Sequence, residues 1–441
     1  MHRNRGDNVF KNFELIAQKA QRDRRLKFTS LMHYMNEERL EKCFNKLKKD
    51  KASGVDGISV EQYGTNLKTS IANLVQRLKS KAYKPQPVRR IYIPKAGKGE
   101  LRPLGIPAVE DKIVQMALKE ILEVIYEQDF RDCSHGFRPG KSCHTAIKQL
   151  DNAVMHNPTN WVVEVDIERF FDSVRHDWMI KCLQERIADP NILWLVRKFL
   201  KAGIMESGQV RESKIGTPQG GVISPLLANI YLHYVLDLWF SIKFKPQAKG
   251  YVELIRYCDD FVVATESEHD AIRFIPELTQ RLAKFGLQIS AEKTRVLKFG
   301  KRVWYRAQKQ GKNVETIDFL GFTHYCAKSR KGYFVMMHKT SRRTMTRKLK
   351  GINEWLRRVR SIIPLRELWP TIKAKLVGHY NYFGINGNIR SLQKYYWRTL
   401  GMIYKWINRR GQKKKMTYKK YVNYLQWNPL PKPRIYHAIL Y

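Results

Sequence analysis

The stretch "LIRYCDDFVVAT", residues 254–265, sets Asp259 and Asp260 side by side between two apolar arms. Adjacent carboxylates repel, by roughly 3 kcal/mol at ~5 Å in an effective dielectric near 20. Both arms are rich in Ile, Val and aromatics and predict strands, with the pair at a hairpin turn. An exposed acidic turn accounts for such a pair taken alone, because Asp favours turns. A third acid changes the weighing: Asp166 ends the apolar strand "WVVEVD". Three carboxylates gathered in one place need counter-charge. Two Mg²⁺ ions would supply it, since this hard cation is held by one or two carboxylates together with substrate phosphates. Such a pair stabilises the attacking and leaving oxygens of an in-line phosphoryl displacement. Asp166, Asp259 and Asp260 are therefore the expected catalytic and metal-binding residues.

Two other segments suit that chemistry. "YIPKAGKGELRPL" carries Lys95 and Arg102 around a glycine-rich turn, and two cations there can cover the phosphates of an incoming nucleotide. "GTPQGGVISPLLANIYL" packs Gly216, Gly220 and Gly221 ahead of a helix, where glycine lets a substrate backbone or base approach closely. Taken singly, the first is a plain basic hairpin and the second an ordinary loop.

The elements that must position these residues follow from periodicity. Residues 12–50, 65–83, 109–128 and 268–285 have helical spacing, and "SPLLANIYLHYVLDLWF" predicts a long apolar helix. "VRRIYIPKAGKGELRPLGIP" predicts strand, turn, strand. "TIDFLGFTHY" predicts one short strand, and the pattern from about residue 340 is helical. The expected fold class is α+β up to about residue 325, followed by a basic helical domain.

The chain has 441 residues and a formal net charge of +42. That field favours polyanionic partners, nucleic acid or acidic membrane. From Lys328 to Tyr441 there are 28 basic residues against two acids, Glu354 and Glu367, interleaved with 18 aromatics. Bases alternating with aromatics suit a surface that tracks a backbone and stacks on bases. Many of those aromatics are expected in a core, but an ordinary solvated face mixes both signs of charge. The six cysteines form no C-x-x-C pair, which argues against zinc ribbons and a disulfide framework and for a reducing compartment. No apolar run reaches membrane-spanning length, and the N-terminus lacks a secretory core. Asp7, Glu14 and Asp23 weaken a transit-peptide reading of the Arg-rich N-terminus, so a cytoplasmic location is expected rather than an organelle.

With these residues in place, "RYCDDFVV" resembles the Y-x-D-D box of reverse transcriptases. "RRIYIPKAGKGELRPLGIP", "SHGFRPGKSCHTAI", "VEVDIERFFDSVRHD", "GTPQGGVISPLLANIYL", "GLQISAEKT" and "DFLGF" resemble the accompanying boxes in the family's order, over about residues 45–325. The Gln219-to-Pro225 form with the LLANIYL helix is similar to group II intron-encoded proteins. The tail "LVGHYNYFG…WRTLGMIYKWINRR" resembles their thumb and maturase region. The resemblance implies a right-hand polymerase: a basic helical extension over 1–44, fingers and palm with an antiparallel sheet over 45–325, and a helical, RNA-binding thumb/maturase domain over 326–441.

The same resemblance implies residue roles. Asp166, Asp259 and Asp260 would hold two Mg²⁺ ions in the palm. Phe171 would be the gate against a ribose 2′-OH, although its neighbour Phe170 can in principle serve. Lys95 and Arg102 would contact the triphosphate of a dNTP. Gln219 and Gly220 would border the nucleotide, and Lys293 would place a cation nearby. Tyr257 would support the primer end and Cys258 would touch the primer strand; the family more often has Ala there, and a thiol is only slightly larger. Arg22, Arg24, Arg25, Lys27, Arg342, Arg343, Arg409, Arg410, Lys413, Lys414 and Lys415 would contact RNA.

The implied function is RNA-directed DNA synthesis on an RNA template/DNA primer duplex. Binding of a group II intron RNA to assist splicing, and mobility into a target DNA, would accompany it. A domesticated reverse transcriptase acting in phage defence or DNA repair, and a non-catalytic RNA-binding maturase, are the alternatives. No cysteine follows Cys326, so the paired-cysteine nuclease of many relatives is not expected.

Overall fold

The structure is a computed structural model and describes residues 5–94, 101–206, 209–211, 216, 220–411 and 416–438. Helices α1 (Arg5–Arg22), α2 (Glu37–Asn45), α3 (Val60–Gly64) and α4 (Leu67–Lys79) come first. The apolar pattern over 12–50 is thus divided between α1 and α2. Between them Arg186 donates to the carbonyls of Ala20 and Asp23, and Asp189 accepts from Leu31 N and Met32 N. These bonds outcompete helix continuation, because a buried backbone donor must be paired. Asp189 also caps a later helix by accepting from Asn191 N and Ile192 N.

Strands β1 (Val88–Pro94) and β2 (Leu101–Ile106) form an antiparallel hairpin in register Ile93↔Arg102. Then come α5 (Val109–Tyr126), α6 (Cys143–His156), β3 (Trp161–Asp166), α7 (Phe170–Ser173), α8 (His176–Gln184) and α9 (Pro190–Lys201). Short strands β4 (Ile204–Glu206) and β5 (Gln209–Arg211) complete a sheet of order β2-β1-β4-β5. Next are α10 (Ser224–Leu232), β6 (Val252–Tyr257), β7 (Asp260–Thr265), α11 (Glu268–Ala283) and β8 (Arg295–Lys298), with a second sheet of order β6-β7-β3-β8. The expected long apolar helix begins as α10 and continues as wider π-type turns over 233–237 and 240–244. The content is mixed α+β, as expected.

The chain divides into two compact units. One comprises residues 1–146, 163–263 and 268–295; the other comprises 147–162, 264–267 and 296–441. The second unit adds α12 (Lys301–Lys309), β9 (Ile317–Phe319), β10 (Phe322–Lys328) and β11 (Phe334–Thr340). It ends in α13 (Arg342–Val359), α14 (Leu365–Phe383), α15 (Ile389–Ile407) and α16 (Tyr418–Trp427). "TIDFLGFTHY" is two strands rather than one. Leu320 (φ 51°) and Gly321 (φ 80°) reverse the chain between β9 and β10, and β11 follows as a strand not expected from the sequence. The helices share a core that includes Leu349, Leu376, Tyr380, Leu392 and Ile403.

A buried amide ties β11 to those helices. Asn388 accepts from Thr340 N at 2.8 Å and donates to Thr340 Oγ1 at 2.9 Å and to the Phe383 carbonyl at 2.7 Å. Asn388→Ala takes this partner from Thr340 N and Oγ1, while the Phe383 carbonyl still accepts from Ile385 N, and each orphaned group costs ~1–3 kcal/mol. Urea unfolding should show a loss of about 2–4 kcal/mol, whereas a midpoint equal to wild type would show that the amide carries no weight.

Candidate active site

Strand β3 is buried along its middle and emerges at Asp166. Glu164 on the same strand is a buried acid matched by Arg295, whose Nη2 donates at 2.5 Å. After Asp166 the chain stays in extended pairing. Ser290 N donates to the Asp166 carbonyl at 2.8 Å, Glu168 N donates to Gln288 O at 2.8 Å, and Ile167 bridges Ile289 in antiparallel sense. This is the structural role of "GLQISAEKT": it lies along the exit of β3 and brings Lys293 to the carboxylate. Lys293 Nζ is 2.7 Å from Asp166 Oδ2.

Asp259 lies in the two-residue turn between β6 and β7, and Asp260 opens β7. Strand β7 neighbours β3. At the far end, Asn160 N donates to Thr265 O at 2.9 Å, so the start of β3 meets the end of β7 and the strands run in opposite senses. Asp166 therefore comes level with Asp259 and Asp260. Among the described residues, no three His, Cys, Asp or Glu side chains are gathered closely enough to hold a metal ion. The Asp166 carboxylate is turned to the Lys293 ammonium, which stands where positive charge is needed. Carboxylate oxygens are the donors a hard divalent ion prefers, and such an ion would have to displace the Lys293 ammonium from Asp166.

The turn is fixed from beneath by Arg256, fully buried on β6. Its Nε and Nη2 donate to Asp237 at 2.8 and 2.5 Å, Nη1 to Asn229 Oδ1 and the Cys258 carbonyl at 3.0 Å each, and Nη2 also to Ser134 Oγ at 2.7 Å. Burial works against the guanidinium charge, and the facing Asp237 carboxylate more than restores it. Asn229 also donates to Gly136 O at 2.6 Å. Cys258 takes a left-handed φ of 59° and is buried. Burial, then the Asp259 charge, push its thiol up, so it is a neutral, apolar surface.

The segment 131–138 lies along the end of β6: Arg256 N donates to Cys133 O at 2.7 Å and His135 N to Arg256 O at 2.8 Å. Arg138 locks it, donating to the carbonyls of Arg131 and Ser134 and pairing with Glu127 at 2.7 Å. A Cβ on Gly136 would stand 2.5 Å from Cys258 N, so glycine there is a packing requirement of the turn. Half-buried Tyr257 faces exposed Phe137 with ring centroids 5.9 Å apart.

Of the two candidate gate rings, Phe170 is buried and packs edge-on to Tyr231 at 6.5 Å, while Phe171 is half-exposed. Gly216 (φ 96°) packs its backbone on α7, where a Cβ would meet Phe171 O and Asp172 O at 3.0 Å. Gly220 (φ 109°) is exposed, and a Cβ there would collide with Gly105 O of β2. Arg102 lies on β2. Lys95, Gln219, Lys413, Lys414 and Lys415 lie outside the described residues. Arg22, Arg24, Arg25, Lys27, Arg342, Arg343 and Arg409 are exposed. Arg410 is half-buried and donates to the Ile363 carbonyl at 2.6 Å, a bond that serves the fold.

The sequence pointed to the three aspartates but not to Arg256, Asp237, Asn229, Ser134 or Phe137. One signal was present: an arginine inside the apolar run "VELIRY" needs a buried acid, and Asn229 and Asp237 lie on one face of an apolar helical stretch.

The carboxylates at one strand edge contrast with the strongly basic remainder of the chain, whose charge suits polyanionic partners. The chain belongs to the reverse transcriptase (RNA-dependent DNA polymerase) family, whose profile matches residues 93–324. Among its relatives, it is 42% identical over 203 residues to the group II intron-encoded protein LtrA of Lactococcus lactis subsp. cremoris, covering 46% of this chain and 34% of that one. It is 38% identical over 251 residues to protein YkfC of Escherichia coli (strain K12), covering 50% and 66%. It is 28% identical over 149 residues to the nuclear intron maturase 4, mitochondrial, of Arabidopsis thaliana, covering 33% and 18%. The match thus spans about a third of the length of LtrA. Among the described residues no helix is long and apolar enough to cross a membrane.

Arg256→Met removes one half of a buried ion pair and leaves Asp237 uncompensated, which costs ~3–5 kcal/mol. Urea unfolding should register that loss, and the double substitution Arg256→Met/Asp237→Leu should recover most of it. A double variant no more stable than the single one would place the weight elsewhere.

Proposed function

We propose that the protein is an RNA-directed DNA polymerase that also binds a group II intron RNA and assists its splicing and mobility. The observation that carries the catalytic part is the level placement of Asp166 with the Asp259–Asp260 turn on neighbouring antiparallel strands. In this reading the first unit supplies fingers and palm, and the basic helices of the second supply the thumb and maturase surface. Asp166, Asp259 and Asp260 would hold two Mg²⁺ ions. When bound, these supply activation of the primer 3′-OH at the α-phosphate of a dNTP and neutralisation of pyrophosphate.

The chain's own residues do the rest by positioning and electrostatics. Lys293 balances Asp166 before substrate enters. The Cys258 thiol, neutral and buried, offers the primer strand an apolar contact, and Tyr257 with Phe137 offers it an aromatic ledge. Phe171, the ring of its pair that is not committed to the core, excludes a ribose 2′-OH. Lys95, Arg102, Gln219 and Gly220 keep the nucleotide-binding roles implied by the motifs. The intron RNA would engage Arg22, Arg24, Arg25, Lys27, Arg342, Arg343 and Arg409, stabilising its folded form because the protein binds that form alone.

Primer extension on poly(rA)/oligo(dT) with Mg²⁺ tests the polymerase. Wild type should incorporate dTTP and Asp259→Ala should fall to background; a wild-type blank would leave RNA binding as the only activity. Phe171→Ala should raise ribonucleotide incorporation by at least about tenfold, the scale of a steric discrimination. Unchanged sugar selectivity would remove Phe171 from the gate.

A further inference from the structure

Within the second unit, α13 and α14 border an open pocket of about 570 Å³. Arg347, Lys348 and Gly351 of α13 face Lys375, Gly378 and His379 of α14, and among the described residues no acid lines it. Three features are unexplained by the fold itself.

The first is His379. It is 6% exposed, and among the described residues neither ring nitrogen has a hydrogen-bond partner. Its ring is held flat on Tyr395, centroids 3.6 Å apart at 13°. A buried polar group without a partner is costly, and this one lines a cavity. Burial, then the Lys348 charge, push its pKa down to about 3, so at neutral pH one nitrogen carries a proton to donate and the other accepts.

The second is the glycine pair. Gly351 and Gly378 sit inside their helices, and a Cβ on either would meet nothing within 4 Å. Alanine would fit and would favour each helix, so the fold does not require glycine at either position. Glycine is what a close backbone approach from outside requires. The third is crowding of like charge: burial, then Arg347 and Lys375, lower the pKa of Lys348. An anion in the pocket relieves that repulsion.

We infer that this pocket seats a backbone phosphate of an RNA strand, with His379 donating to a phosphate oxygen and the two glycines letting the strand lie against both helices. The inference rests on the RNA-binding reading above and locates one contact of it. A polymeric anion rather than a free one follows from the surrounding field, 28 bases against two acids from Lys328 onward.

Fluorescence anisotropy of a labelled oligouridylate with the full chain, over a range of salt, tests it. Gly351→Ala and Gly378→Ala should each raise the thermal midpoint and yet weaken binding, by about tenfold for a lost charge-assisted contact. His379→Phe keeps the ring on Tyr395 and should weaken binding without lowering the midpoint. Arg347→Gln/Lys375→Gln should reduce the log–log salt slope by about 0.7, the value for one phosphate contact on a single strand. If Gly378→Ala and His379→Phe bind as wild type while Arg409→Gln binds less tightly, the pocket is overturned and RNA binding stands. A wild-type chain with no salt-dependent affinity overturns both.

Discussion

The Arg256 guanidinium is the constraint on which the acidic turn depends. Its five N–H donors are all committed: two to Asp237 and one each to Asn229, Ser134 and the Cys258 carbonyl. A buried ion pair adds little net stability compared with an apolar pair of the same size, because desolvation offsets the attraction. What it adds here is direction. Three separate segments, carrying residues 134, 229–237 and 256–258, are referred to one planar group, and the bond to the Cys258 carbonyl ties the turn to it. The left-handed Cys258 is strained for a non-glycine residue, and it is tolerated because its neighbours on both sides are fixed.

Close backbone contact completes the frame. Gly136 lies against Cys258 N, Gly216 against the carbonyls of α7, and Gly220 against Gly105 O. At these places any side chain would push apart elements that carry the site. The glycines that looked, from sequence, like room for a substrate are thus also room for the protein's own backbone. Gly216 and Gly220 are held in conformations that only glycine adopts without strain.

This explains which parts of the molecule were legible. The helices over 67–79, 109–126 and 268–283 follow a strong apolar period and were read within a few residues. The three aspartates stand out in the sequence because a carboxylate at the end of an apolar strand has no evident structural motive. The role of Arg256 is not local, because the side chains that hold it lie 19 to 122 positions away in the chain. The β9–β10–β11 sheet is hard to read from sequence because its first turn places Leu320, a residue with no turn preference, in a left-handed conformation beside the single turn signal of Gly321. The helical span over 12–50 was over-read because Asp189 and Arg186, far along the chain, supply the bonds that interrupt it.

The second unit poses a different electrostatic problem from the first. In the first, bases meet acids of which at least one partner is buried or half-buried: Arg256 with Asp237, Arg295 with Glu164, Arg138 with Glu127. Beyond Lys328 only Glu354 and Glu367 remain, each in one long surface pair of 3.8 and 3.7 Å. The bases there are held by neutral partners. Arg360 donates to the carbonyls of Arg357 and Arg409, and Arg410 to that of Ile363. Arg360, Lys405 and Arg409 surround the Trp406 ring at 5.0, 5.1 and 5.5 Å, and Lys375 lies 4.5 Å over Trp355. A carbonyl or an aromatic face orients a cation without cancelling it. The helices are therefore built so that their bases are placed while the charge is left in the field, which is the condition for gripping a polyanion through counterion release.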